Sequence, residues 1–86
     1  MPVLSKFYGI VIRMLCIRCM EARFHAIYHD WELIVGVWPL RIIQGEAPRW
    51  VCDKVLRWAR LHQQDLLTAW NRCQHGQRPG PIAPLL

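Results

Sequence analysis

The hydrophobic pattern of this chain changes period near residue 45, and no other feature limits the fold as much. Before that point apolar and polar residues alternate: Phe24, Ala26 and Tyr28 face one way, Arg23, His25 and Ile27 the other. A two-residue repeat is the signature of a strand. From Pro48 onward the repeat lengthens. At about 100° per residue, Val51, Val55, Trp58, His62, Leu66, Ala69 and Cys73 fall on one stripe, which Cys52, Ala59 and Trp70 widen. Arg49, Lys54, Arg57, Arg60, Gln64, Asn71 and Arg72 fill the opposite arc. The register holds for about 26 residues, which predicts one long amphipathic helix over 48–75. Pro48 suits the first helical position, where its missing N–H is no loss, and Gly76 suits a left-handed end.

Four strands are expected ahead of the helix, at 7–15, 23–28, 31–37 and 40–43, with His29-Asp30 as a tight turn and Trp38-Pro39 as a break. Strands so closely spaced pair antiparallel, because a parallel partner needs a longer crossover. The expected fold is α+β, a small antiparallel four-stranded meander packed on one long helix. Residues 76–86 hold three of the six prolines and should form an extended tail, laid along the surface or disordered. The boundaries are then 1–45 for the strands, 48–75 for the helix and 76–86 for the tail, all within one domain spanning 1–86.

At 86 residues the chain is too short for a second core, so multi-domain enzymes, dinucleotide-binding folds and α/β barrels are excluded. An apolar content of 53% with five Trp excludes a disordered chain. The run Ile10-Val11-Ile12 is cut by Arg13, too short to span a bilayer and without the cleavage pattern of a signal peptide. No membrane association is expected, the location is read as cytoplasmic, and the four cysteines are read as thiols rather than disulfides. No motif asks for a cofactor.

A few residues could carry chemistry. Cys16, Cys19, His25 and His29 are the candidate zinc ligands, through the C-x-x-C at 16–19. The short spacing to His25 leaves little chain to wrap a tetrahedral ion, and packing as small apolar side chains is the competing reading. Arg23 and His25 share a strand face, so His25 could carry a proton and Arg23 steady a phosphate, with His62 as a second acid–base group if helix and strand meet. The alternative makes His62 a hydrogen-bonded core residue. Arg49, Lys54, Arg57 and Arg60 form a basic helix face beside Trp50, which could stack on a base; a solvated face is the alternative. The net charge of +5 suits an RNA or an acidic partner.

The opening Pro2-Val3-Leu4-Ser5-Lys6-Phe7-Tyr8-Gly9-Ile10-Val11-Ile12-Arg13-Met14 resembles the start of the bacterial family known as domain of unknown function 4160. The resemblance continues in Phe24-His25-Ala26, Gly45-Glu46, Pro48-Arg49, Trp58-Ala59, Leu61-His62-Gln63, Trp70 and the tail Pro81-Ile82-Ala83-Pro84-Leu85. Where the family reads Pro-Pro-His-Phe-His, this chain has Glu21-Ala22-Arg23-Phe24-His25, and its C-x-x-C is a second departure. Genes of the family commonly neighbour a small gene of the unknown-function family numbered 2442, so the resemblance implies a toxin–antitoxin-like pair.

Ile27, Ile34, Val35, Val37, Ile42 and Ile43 put apolar side chains on both faces of the strands, whereas one helix covers one face. Two expectations follow. One is an interaction module whose second face docks a further copy of itself or the product of the adjacent gene. The other is a small RNA-binding or RNA-cleaving effector using Arg23, His25 and His62. In a third arrangement, Ile82, Leu85 and Leu86 of the tail fold back over that second face.

Overall fold

The structure is a computed structural model that describes residues 1–18 and 20–86. It is α+β, as the change of period requires, with one five-stranded antiparallel sheet and two helices. The strands are β1 (Val3–Phe7), β2 (Ile10–Arg13), β3 (Arg23–Tyr28), β4 (Trp31–Val37) and β5 (Leu40–Glu46), and the helices are α1 (Arg49–Leu61) and α2 (Gln63–Gln74). Neighbours in sequence are neighbours in the sheet, in the order β1-β2-β3-β4-β5.

The expected four strands become five because Tyr8-Gly9 is a two-residue hairpin turn, with φ of 51° and 77°. Both values lie in the left-handed region that such hairpin turns demand. The single strand expected over 7–15 therefore divides, and its first residue, Phe7, belongs to β1, which pairs Phe7 with Ile10. The strands expected at 23–28 and 31–37 form as read, while the last one extends to Glu46.

The expected single helix is interrupted at His62, which takes φ −117° and ψ 24° and shares its N–H between the carbonyls of Trp58 and Ala59. The next side chain, Gln63, donates Nε2–H to the Val37 carbonyl of β4 at 2.7 Å, tying the break to the sheet. Pro48 stands one residue outside α1 with extended ψ of 145°, not inside it. Gly76 ends α2 with φ 71°: its N–H bonds to Cys73 and that of Gln77 to Arg72, a Schellman closure of the last carbonyls.

Both helices cover one side of the sheet. Their buried residues, Val51, Val55, Trp58, Ala59, Leu66, Ala69, Trp70 and Cys73, all belong to the expected stripe or its widened edge. They pack on Ile10, Ile12, Phe24, Ala26, Leu33, Val35 and Val37, the alternate residues of β2, β3 and β4. Trp58 is wholly buried at the centre, its ring 5.4 Å from Phe7 and 5.7 Å, edge-on, from Phe24.

The tail does not cross the second sheet face. Residues 77–86 lie in neither helix nor strand. The Ile82 N–H donates to the Leu4 carbonyl on the edge strand β1 at 2.8 Å, and Trp58 Nε1–H donates to the Ala83 carbonyl at 2.8 Å. The tail thus lies on the helix side, with Ile82 buried in the core and Leu86 fully exposed. The thiol expectation also changes for two of the four cysteines: Cys16, after β2, is disulfide-bonded to Cys73 in the last turn of α2.

Candidate functional site

With helices and tail on one side, the other face of the sheet stands uncovered. Its composition follows from the register. Lys6 pairs with Val11, Val11 with Ile27, and Ile27 with Glu32, which is opposite Glu46. The next row runs Arg13, His25, Ile34 and Gln44; the third is Arg23, Gly36 and Arg41. Directly opposed residues in antiparallel strands share a face. This surface therefore has an aliphatic centre of Val11, Ile27 and Ile34 and a margin rich in cations.

His25 sits near the middle of that face with its side chain 13% exposed. Its Nδ1–H donates to Glu32 Oε2 at 2.9 Å, along the diagonal between β3 and β4. A carboxylate only accepts, so the proton lies on Nδ1 and Nε2 is left as the second functional nitrogen. Arg13 lies directly opposite on β2 and its Nη1–H donates to the Met1 carbonyl at 3.3 Å. Arg41 reaches across the face to Glu21, which Arg23 also approaches at 4.0 Å. Gly36 makes room for this crossing: a Cβ there would lie 3.1 Å from Arg41 Nη1 and 3.3 Å from Ile43 Cδ1.

Arg23 and His25 lie together on the open face, as their alternation implies. His62 does not join them. Its ring packs 5.5 Å from Trp58, which lies in the core beneath Phe24, so the sheet stands between His25 and His62. His62 is half-buried at the helix break, with Nδ1 3.3 Å from Asp65 Oδ2, and not a core member of the stripe. The expected convergence of Arg23, His25 and His62 is therefore absent within one chain. Glu32, the partner of His25, was missed by the sequence reading, although the His29-Asp30 turn fixes the register that brings them together.

The helix residues keep their expected place. Arg49, Arg57 and Arg60 are exposed, Lys54 is half-buried with Nζ 4.8 Å from the centre of the Tyr8 ring, and Trp50 is 43% exposed beside Tyr28. Of the zinc candidates, Cys16 is bonded to Cys73, His25 to Glu32, and His29 stacks edge-on against Tyr28 at 4.4 Å in its turn. Cys19 lies outside the described residues. Among the described residues, no group of three or more His, Cys, Asp or Glu is placed to hold a metal ion, and no helix is long and apolar enough to cross a membrane.

No match is found among curated proteins or solved structures. A family model does match, over residues 9–71, from the turn after β1 to the last part of α2. Pro2–Tyr8 and the tail, which carried part of the resemblance, lie outside that span, yet the match takes in β2 to β5, the whole of α1 and the His25–Glu32 pair. The chain belongs to the family described as Domain of unknown function (DUF4160).

Proposed function

We propose that this protein is a small interaction module, one component of a toxin–antitoxin-like pair, which takes an acidic partner protein on its open sheet face. The carrying observation is the chemistry of that face. Val11, Ile27 and Ile34 form its centre, with Lys6, Arg13, Arg23 and Arg41 around them. Aliphatic groups in the middle of a patch and charges at its margin are the usual anatomy of a protein interface. Sheet surfaces that bind RNA instead present exposed aromatic rings to the bases, whereas the rows crossing this face contain no Phe, Tyr or Trp, and their one ring, His25, is 13% exposed and held by Glu32. The cations exceed Glu21, Glu32 and Glu46, which favours an acidic partner and speeds its encounter. With strands about 4.8 Å apart, the face is about 20 Å wide, enough to seat a helix or a short strand pair.

The partner in this reading is the product of the adjacent gene; the Cys16–Cys73 disulfide removes the thiol argument for a cytoplasmic location, and the reading does not depend on the compartment. A catalytic variant of the reading is disfavoured, since the sheet separates His25 from His62.

Co-expression with the product of the adjacent gene, followed by size-exclusion chromatography, tests this. A complex is expected that Ile34→Glu weakens at least a hundredfold while its far-UV circular dichroism stays unchanged, and that Trp50→Ala leaves intact. No complex, or one indifferent to Ile34→Glu, defeats the proposal. A dimer of the protein alone that Ile34→Glu dissociates identifies the occupant as a second copy instead.

A further inference from the structure

The end of the molecule that carries the β1–β2 and β3–β4 turns is built differently from the open face. Antiparallel order brings both turns and the start of α1 to this one end. Here Tyr8 is 49% exposed, Trp31 44% and Trp50 43%. Tyr28 links them. Its ring meets Trp50 edge-on at 5.0 Å, a Cβ on Gly9 would touch its Cε1 at 3.3 Å, and Trp31 is its cross-strand partner.

Two of the turn residues hold unfavourable backbone. Tyr8 and His29 have φ of 51° and 52°, the positive values among non-glycine residues in the described chain. Left-handed backbone costs an L-residue with a bulky side chain about 1 kcal/mol, and glycine or asparagine would relieve it. Strain of this kind concentrates where a side chain is needed in a particular place. Both strained positions present a ring beside the same cluster.

From Trp50 a stripe continues along α1. Trp50, Lys54, Arg57 and Leu61 are spaced by four, three and four residues and so share one line on the helix surface. Lys54 Nζ lies over the Tyr8 ring at 4.8 Å, which joins the stripe to the hairpin end. Arg57 is exposed and, among the described residues, makes no ion pair within 4.0 Å. The line ends at a groove of about 390 Å³ between Lys54, Arg57, Leu61 and His62 on one wall and residues 83–86 on the other. At 1.5 Å per residue the track from Trp50 to Leu61 is about 17 Å long. Asp53 borders this track, four residues before Arg57, but makes no ion pair with it among the described residues, so the cations of the track outnumber its acid.

We propose that this track is a binding site for single-stranded nucleic acid. Bases stack on the exposed rings of Trp50 and Tyr8, and Lys54 and Arg57 hold the phosphates that follow. Exposed rings beside unpaired cations along a groove are what single strands bind through, because every base has a face to stack and every link a charge. This site lies across the sheet from the open face and does not depend on the function proposed for that face.

Fluorescence anisotropy with fluorescein-labelled 12-mers of oligouridine and oligodeoxythymidine tests it, at several salt concentrations and on the full chain. Both strands are the probes, and a preference for one identifies the sugar recognised. Trp50→Ala is expected to weaken binding about tenfold. The double variant Lys54→Gln, Arg57→Gln should lower the slope of log K against log salt by about 1.4, at about 0.7 per phosphate contact. Arg13→Gln on the open face should change neither. Circular dichroism confirms that these surface variants fold. The proposal is overturned if neither 12-mer binds at about 50 mM salt, where phosphate contacts are little screened. It is overturned equally if Trp50→Ala and the double variant bind as the parent does, if Arg13→Gln is the variant that loses binding, or if polyglutamate competes equally well.

Discussion

Removing the buried part of the tail should destabilise the whole domain, because Ile82 is a core residue and not a surface contact. Its side chain is 8% exposed and packs in the same cluster as Trp58 and Leu4. Ile82→Ala deletes three carbons, about 2.4 kcal/mol of transfer free energy at about 0.8 per group. The site lies at the margin of the core and can partly collapse, so the cavity adds little and the expected loss is about 2.5 kcal/mol, near the low end for such substitutions. Ending the chain after Pro79 removes more. It also frees the Leu4 carbonyl and strands the Trp58 indole N–H, whose acceptor is the Ala83 carbonyl. An unsatisfied buried donor costs about 1–3 kcal/mol, so the truncation should lose about 4–5 kcal/mol in all. Against the total of about 4–13 kcal/mol expected for a chain of this size, that is enough to unfold a marginal domain. Urea titration followed by circular dichroism and Trp fluorescence reads both. For Ile82→Ala the midpoint should fall by about 2 M with an unchanged slope. A truncated protein whose midpoint matches the parent's would show that residues 80–86 lie outside the cooperative unit, and the account of the tail would fail.

Two further predictions rest on single contacts. Gly45 has φ 97°, and a Cβ there would stand 2.1 Å from the Glu32 carbonyl oxygen; Gly45→Ala should cost about 3 kcal/mol by thermal melting, through clash and backbone strain together, and a change below about 0.5 kcal/mol would contradict the β4–β5 register. The Cys16–Cys73 bond closes a loop across a sequence separation of 57, for which chain entropy gives about 4 kcal/mol; Cys73→Ala or dithiothreitol should lower the melting temperature accordingly, and a thiol count under denaturing, non-reducing conditions that finds all four cysteines free would remove the bond from the account.

What the sequence disclosed and what it hid divide along the range of the interactions. The alternation in β3 and β4 was readable because each strand is half-buried and carries its pattern within itself. The β1–β2 hairpin was not, since its two-residue turn lies inside a nearly continuous apolar run. Gly9 as the second turn residue was the signal available. The stripe of α1 and α2 was legible while its interruption at His62 was not, because neither Pro nor Gly marks it and the tie to Val37 is a contact between distant residues. The same holds for the tail, whose anchors Leu4 and Trp58 lie 78 and 25 residues away in sequence. The C-x-x-C drew attention to Cys16 with Cys19, whereas the bond joins Cys16 to Cys73. The candidate site was half visible: Arg23 and His25 share a face by local periodicity, but Glu32 follows only once a register is chosen.

The placement of charge bears on how two ligands could be held at once. Of the 11 basic residues, Lys6, Arg13, Arg23 and Arg41 lie on the open face and Arg49, Lys54, Arg57 and Arg60 on α1, so the net charge of +5 is spread over two surfaces and not gathered on one helix. The sheet separates these surfaces by its full thickness, with the packed core filling the side beneath α1. Under the two proposals, a partner docked on the open face has no contact with Trp50, Lys54 or Arg57, and without differential contact there is no coupling free energy between the sites. A partner that nevertheless suppresses nucleic-acid binding must reach α1 around an edge of the sheet. The tail occupies the β1 edge through the Ile82–Leu4 hydrogen bond. Two routes remain: β5, the opposite edge, which lies next to α1 and whose residues are exposed along most of their length, and the turn end, where Tyr8 stands between Lys6 of the open face and Lys54 of α1. Inhibition by such a partner therefore requires wrapping over β5 or covering the β1–β2 turn.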